Sequence, residues 1–211
     1  MAEIYLVRHF ETASNVKGLF GDGPLDDLPT DRGVAQARAL CKVFLNRRLW
    51  FDICYCGTSL RQKNTAGIIC PIGVPRKEHG ALNEKTLGAW GGKSKEAIDP
   101  ELLQRWRKGE YVPEGGETQE DFESRVSEFW EEVIVPSLSK CIRILVVTSG
   151  NPIRIFVAHT LGIPWVKLLP ELDCDNCAIS MIRRNDRGFF VATINDTSHL
   201  ASVGVSALPG T

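Results

Sequence analysis

Three apolar runs in this chain end in residues that can handle a phosphate. Ile4-Tyr5-Leu6-Val7 stops at Arg8-His9, Arg61 comes just after the run at 51–56, and Ser149-Gly150 follows the run at 142–147. Arginine stays charged, and its forked donors fit phosphate oxygens. Histidine can attack or shuttle a proton near neutral pH. A helix starting at Ser149-Gly150 would add backbone N–H groups that favour an anion. Glu84 lies where the chain leaves the body for an irregular stretch, and a positioned carboxylic acid can give or take a proton. A carboxyl near arginines tends to stay ionised, so an acid role for Glu84 asks for partial burial. Alone, each residue reads as the polar end of a strand; gathered in one crevice, they would make a phosphate site.

The elements that must gather them follow from the pattern. Residues 4–7 are short, apolar and rich in strand formers. Gly21-Asp22-Gly23-Pro24 marks a turn inside a Gly/Asp/Pro-rich loop over 18–29. Thr30 can cap a helix with Asp31 in its first turn. Val34, Ala37, Cys41, Phe44 and Leu45 carry that helix to about Arg48. Residues 51–56 supply a second strand, and a second helix starts near Ser59 and ends before Pro71. Residues 76–82 read as a short strand. Thr118, with Asp121 three residues on, resembles a capping box. Phe122, Val126, Phe129, Trp130 and Val133 form the buried stripe of the helix it opens, and Pro136 closes that pattern. Residues 142–147 are β-branched without alternation, as in a strand covered on both faces. Asn151-Pro152 then gives a cap and a first-turn proline, with the helix reaching Leu161 and Gly162 just beyond. The last unit, 177–184 and 189–194 around Asn185-Asp186-Arg187-Gly188, is a hairpin, which makes one strand antiparallel. The tail after Leu200 is small and polar, with no element expected.

Residues 83–117 form a long excursion holding Trp90, Trp106, Tyr111 and several glycines, with a helical middle at 95–108. Excursions of this length inside a compact domain are usually functional, and this one reads as a cap insertion at about 85–117.

Composition narrows the classes. With 211 residues, 43% hydrophobic, 24% charged and a formal net charge of −1, the chain suits one α/β domain over 1–211. That balance asks for neither nucleic acid nor a membrane surface. No run is long and apolar enough to span a bilayer, and the N-terminus enters the first strand without a cleavable apolar segment; a cytoplasmic protein is expected. Seven cysteines are an odd number. Cys174-Asp175-Asn176-Cys177 has metal-ligand spacing but no second pair, so reduced structural thiols are expected, with no metal and no cofactor.

In their order, these segments resemble the histidine phosphatase superfamily, the phosphoglycerate mutase-like group. That family opens Leu-Val-Arg-His-Gly-Glu-Thr with an Asn shortly after; here stand Leu6-Val7-Arg8-His9-Phe10-Glu11-Thr12 and Asn15. Its Leu-Thr-x-x-Gly-x-x-Gln-Ala is matched by Pro29-Thr30-Asp31-Arg32-Gly33-Val34-Ala35-Gln36-Ala37, and its Arg-Ala-x-Gln-Thr-Ala by Arg61-Gln62-Lys63-Asn64-Thr65-Ala66. Leu82-Asn83-Glu84, Gly88-Ala89-Trp90-Gly91-Gly92 and Gly115-Gly116-Glu117-Thr118 follow in family order. The resemblance, with the βα pattern, implies a three-layer α/β/α sandwich with a mostly parallel central sheet, one antiparallel strand and a cap. It implies His9 as a nucleophile forming a phosphohistidine, Arg8 and Arg61 clamping phosphoryl oxygens, Asn15 as a neutral donor, and Glu84 as acid and then base. Gly150 would add backbone donors to the phosphate. Phe10, Phe20, Trp90 and Tyr111 are the candidate substrate contacts.

Two departures stand out. The family's His-Gly-x-x-x-Arg appears as Ser149-Gly150-Asn151-Pro152-Ile153-Arg154, with serine where the second catalytic histidine belongs. Loss of one such preorganised donor commonly costs about 10²–10³ in rate. Phe10 replaces the glycine after the nucleophile. His159 and His199 read as structural, and His79 stays open. The leading expectation is a phosphatase for a small phosphorylated metabolite, weakened at Ser149. The alternatives are a non-catalytic phosphate-ligand binder, a repurposed enzyme and, less favoured because the cap looks short and lacks a basic segment, a phosphoglycerate mutase. A homodimer is compatible with all of them.

Overall fold

The computed structural model describes residues 1–21, 28–169 and 171–204. The turn expected at Gly21–Pro24 and the end of the C-terminal tail therefore lie largely outside the described residues. β1 (Ala2–Arg8) leads through a single helical turn, α1 (Ala13–Val16), to α2 (Asp31–Asn46), β2 (Ile53–Cys56), α3 (Leu60–Ile69) and β3 (Arg76–Glu78). After the excursion and its helix α4 (Pro100–Arg107) come α5 (Gln119–Phe129), a π turn at Trp130–Ile134, and the short α6 (Val135–Ser137). β4 (Arg143–Thr148), α7 (Gly150–Leu161), β5 (Ile179–Asn185) and β6 (Gly188–Asp196) complete the chain.

The six strands form one sheet in the order β3-β2-β4-β1-β5-β6. β3, β2, β4 and β1 pair in parallel, and β5 runs antiparallel to both β1 and β6. One strand is thus reversed, as the hairpin implied. Alternate residues leave opposite faces of a strand, and here both faces are apolar. Ile4, Leu6, Ile144 and Val146 join Phe122, Trp130 and Phe156 in one core; Tyr5, Val7, Leu145 and Val147 join Ala37, Leu40 and Phe44 in the other. One layer therefore carries α5 and α7 and the other carries α2 and α3, giving the expected sandwich. Among the described residues, no helix is long and apolar enough to cross a membrane.

Most boundaries fall within two residues of expectation; three differences have a clear physical reason. The strand expected over 76–82 stops at Glu78, because His79 turns the chain: its Nδ1 accepts from the Ala81 N–H at 3.2 Å and starts a 3-10 turn at Gly80–Leu82. The helix expected over 95–108 is split into a 3-10 turn (Lys95–Ala97) and α4. A residue before proline avoids the helical region; Asp99 does so and instead caps α4 from outside, accepting from Glu101 and Leu102 N–H groups. The third is α7, whose N-cap is Ser149 rather than Asn151.

The helix that Thr118 opens begins where expected, with the Thr118 hydroxyl accepting from the Asp121 N–H at 2.9 Å, but the capping box is half made: the Asp121 carboxylate takes the Thr118 hydroxyl, not its N–H. Its π turn leads into Pro136, whose missing N–H cannot continue the regular ladder.

Candidate active site

β1, β4 and β2 end side by side. Arg8 is in register with Thr148, and Val147 with Cys56. The His9 N–H continues the ladder to the Thr148 carbonyl at 2.9 Å, as Gly57 does to Val147 at 3.1 Å. Arg8, His9 and Ser149 are therefore next to one another at the carboxyl edge of the sheet, where ligands of such sheets bind.

His9 is 3% exposed. Its Nδ1 lies 2.8 Å from the Phe10 carbonyl oxygen. A carbonyl only accepts, so Nδ1 carries the proton and Nε2 keeps a free electron pair. Burial, then the Arg61 and Arg8 cations, push the imidazole well below its usual pKa. At neutral pH it is an uncharged imidazole in the field of two guanidinium groups.

Arg8 is fixed from below. Its Nη1 donates to the Cys174 carbonyl at 2.5 Å, and its own carbonyl accepts from the Cys177 N–H at 3.0 Å. Asn176 is fully buried and donates to the His9 carbonyl at 2.8 Å and to Asn15 Oδ1 at 3.2 Å. The segment with metal-like cysteine spacing thus grips Arg8 and His9 through its backbone and Asn176. Burial lowers the Arg8 pKa while Glu84 and Asp175 counter it, and an arginine remains charged through such shifts.

Asn15 sits in the single turn after Thr12. Its Oδ1 also accepts from the Thr12 N–H at 3.1 Å, while the Thr12 hydroxyl accepts from the Asn15 N–H. With Oδ1 occupied twice, Nδ2 is left as the donor for a ligand. Arg61 is buried in the first turn of α3. The hydroxyl of Thr65 donates to the Arg61 carbonyl at 2.6 Å and accepts from the Phe10 N–H at 3.0 Å, tying that helix to the segment of His9.

Glu84 is held by backbone. Its Oε1 accepts from the Lys85 N–H at 2.9 Å and its Oε2 from the Asn151 N–H at 3.2 Å. The carboxylate therefore stands at the first turn of α7, beside Gly150. A Cβ on Gly150 would approach Arg154 Nη1 at 3.4 Å and Cys174 Cβ at 3.5 Å, so the turn is closely packed. Arg154, whose Nε donates to the Leu172 carbonyl and Nη1 to Asn151 Oδ1, fixes that turn from behind.

The four candidate substrate contacts fall into two places. Phe10 is 1% exposed and belongs to the core around Ala37, Leu40 and Phe44. Its ring packs under the sheet edge, so a ligand contact for Phe10 gives way to a core role. Phe20, from the loop after α1, instead joins Trp90, Tyr111, Trp106, Leu87 and Ile98 of the excursion in a separate apolar cluster. Phe20 stacks on Trp90 at 6.0 Å and meets Trp106 edge-on at 5.6 Å, and Tyr111 lies 5.5 Å from Trp90. The Phe20 N–H and carbonyl pair with Lys93 O and Gly92 N, binding the loop after α1 to the excursion. Lys85 is buried, with its ammonium 5.8 Å from the Trp106 ring. The three other histidines are engaged structurally: His79 in its turn, His159 with Glu131 at 2.9 Å, and His199 with the Cys177 carbonyl at 3.0 Å.

Sequence reasoning missed Gln62, Asn176 and Arg125. Gln62 carried a signal, since it stands where the resembled motif has alanine. Asn176 lay inside a segment read only for its cysteines. Arg125, on α5, donates to both Glu117 carboxylate oxygens at 2.6 and 2.9 Å and to the carbonyls of Ala81, Asn83 and Glu84. It staples the two ends of the excursion to each other.

This architecture has known counterparts. A 2,3-bisphosphoglycerate-dependent phosphoglycerate mutase of Bradyrhizobium diazoefficiens is 32% identical over 165 residues, 73% of this chain and 78% of the relative. One from Methylobacterium sp. is 31% identical over 179 residues, 81% of this chain and 85% of the relative. Among solved structures, the α-ribazole phosphatase of Shigella flexneri superposes with a TM-score of 0.80 at 25% identity, covering 92% of this chain and 96% of that one. A phosphoserine phosphatase mutant from Entamoeba histolytica, in complex with phosphoserine, shares the fold with a TM-score of 0.79 at 19% identity, covering 95% and 100%. The family model described as histidine phosphatase superfamily (branch 1) matches residues 4–197, and the chain belongs to that superfamily.

Proposed function

We propose that the chain is a phosphomonoesterase acting on a small phosphorylated metabolite through a phosphohistidine. The observation that carries this reading is the neutral His9 imidazole, its Nε2 pair free, held between the charges of Arg8 and Arg61. Phosphoryl transfer asks mainly for positioning and charge neutralisation. Nε2 attacks phosphorus and the ester P–O bond breaks. The leaving oxygen takes a proton from Glu84. Water then attacks the phosphohistidine, gives its proton to Glu84, and frees His9 and phosphate. Arg8, Arg61, Asn15 Nδ2 and the first turn of α7 at Gly150 hold the phosphoryl oxygens. Ser149 contributes one neutral donor in place of a charged one, and charge-assisted bonds are roughly twice as strong, so turnover is slow relative to a site with histidine there. The excursion at 85–117 acts as the cap, its ring cluster selecting the organic part of the ester. The protein works in the cytoplasm without a cofactor, nucleic acid or membrane; sedimentation distinguishes monomer from homodimer.

The test is hydrolysis of an aryl phosphate, with acid-labile, base-stable phosphate trapped on the protein and lost in His9→Ala. A non-catalytic binder would instead hold orthovanadate tightly without turnover. A mutase would convert 3-phosphoglycerate faster than it releases phosphate.

A further inference from the structure

Ser149 occupies a helix N-cap with extended backbone angles, φ −115° and ψ 178°, yet its side chain caps nothing. A serine there usually accepts from the N–H two or three residues on. Here the third residue is Pro152, which has no N–H, and the Asn151 N–H is taken by Glu84. Ser149 Oγ turns instead to Gln62, whose Nε2 lies 3.0 Å away.

The direction of that bond can be fixed. Gln62 is fully buried. Its Nε2 also lies 2.9 Å from the Leu82 carbonyl, and its Oε1 accepts from the Ser59 hydroxyl at 2.8 Å. A carbonyl cannot donate, so the amino side of the carboxamide faces Leu82 and Ser149. Gln62 therefore donates and Ser149 Oγ accepts. The same Leu82 carbonyl takes the Thr148 hydroxyl at 2.5 Å, so one acceptor orients the end of β4 and the Gln62 side chain together. Gly57 makes room for this arrangement: a Cβ there would fall 1.8 Å from Gln62 Oε1. The Ser149 proton thus remains for the crevice, since among the described residues no hydrogen bond donated by Ser149 Oγ is formed.

Two departures from the resembled motifs, glutamine for alanine and serine for histidine, thus touch each other in space. We propose that Gln62 is a positioning residue acting as one unit with Ser149, aiming the serine O–H at the phosphoryl group and filling the room a histidine ring at 149 would need. The proposal rests on the phosphoryl-transfer reading of this site. It changes what a single substitution can do. Ser149→His meets the Gln62 carboxamide and gains little, whereas Gln62→Ala with Ser149→His recreates a charged donor.

The experiment compares the unmodified chain with Gln62→Ala, Gln62→Met, Ser149→His and Gln62→Ala/Ser149→His. The readouts are p-nitrophenyl phosphate turnover across pH and orthovanadate affinity by tryptophan fluorescence. Expected are a roughly tenfold loss of kcat in Gln62→Ala and in the equally long Gln62→Met, a cautious fraction of a full donor effect. Turnover in the double variant should exceed that of Ser149→His by about tenfold or more, with a new titration between pH 5 and 8 that the unmodified chain lacks. Full activity in Gln62→Met, or Ser149→His matching the double variant, overturns the proposal. If Ser149→His does not fold, the two Gln62 single variants still decide it. If no protein in the set turns over any ester, the hydrolase reading fails separately, and vanadate decides: roughly tenfold weaker binding in Gln62→Met supports the Gln62–Ser149 unit, and unchanged binding overturns it.

Discussion

The crevice floor and the excursion are built on different principles. The floor is polar and made from backbone: strand ends in register, carbonyls that fix Arg8 and Gln62, N–H groups that hold Glu84, and one buried asparagine under His9. Nearly every functional side chain there has a second group setting its direction. The excursion has its own small core of rings and aliphatics, with an isolated bridge, Leu87 to Gly116, at its base. Hydrogen bonds are directional and apolar packing is not. On the proposed reading, a floor of the first kind suits one group, the phosphoryl, with little tolerance. A cluster of the second kind can be recut, ring by ring, without disturbing the chemistry below.

The sharpest way to break this contrast is His9→Ala. It should reduce turnover at least about a thousandfold, as loss of a nucleophile commonly does, while thermal unfolding stays near that of the unmodified chain. A large fall in stability would mean the floor depends on the histidine ring for packing. Next comes Trp90→Ala, which removes the centre of the ring cluster and should cost about 3 kcal/mol of stability. It should alter the ranking of phosphate esters while orthovanadate affinity changes less than threefold. If vanadate binding fell as far as it does in Arg8→Ala, the two regions would not be separable.

Arg125→Ala probes the joint between them. Glu117 is largely buried against Arg125, and hydrogen bonds to charged groups each contribute about 1.5–3 kcal/mol. The expected cost is about 2 kcal/mol by denaturant titration, with both kcat and KM impaired because the Glu84 carbonyl loses its donor. An effect on KM alone would place the staple's influence in the excursion only.

The smallest effect is a pH dependence. His9 is pushed well below its usual pKa in the folded chain, so below about pH 6.5 the unfolded chain binds a proton that the folded one does not. Stability from this group is complete above that pH and declines as pH falls, by up to about 1.4 kcal/mol per unit. His9→Gln should flatten this slope between pH 7 and 5.5. An unchanged slope would mean that other groups carry the acid sensitivity.

Legibility in the sequence followed the same division. The strands announced themselves because residues 4–7 and 144–147 are apolar on both faces, and the ends bearing Arg8, His9 and Ser149 followed from them. Glu84 was marked by its place where the chain leaves the body, and Asn15 came with the family resemblance. The N-cap of α7 was misplaced by two residues, because Asn151-Pro152 imitates a helix start whose real cap, Ser149, spends its side chain elsewhere. Phe10 looked like a ligand contact beside His9, but its ring lies in the core. Gln62 showed only as a departure from the resembled motif and Asn176 not at all, because their partners are 87 and 167 residues away in the chain. The excursion showed its aromatic content but not which ring meets which, since that cluster has no periodicity to read.

The Arg125 staple has a kinetic consequence. A lid that swings needs a few backbone positions free to rotate at its base. Here both arms of the base, at Ala81–Glu84 and at Glu117, are tied to one guanidinium on a helix of the body. If the excursion caps the site as proposed, it is then less a door than a window frame, its width set when the chain folds. Association should accordingly depend on ligand size and charge, and little on solvent viscosity beyond simple diffusion.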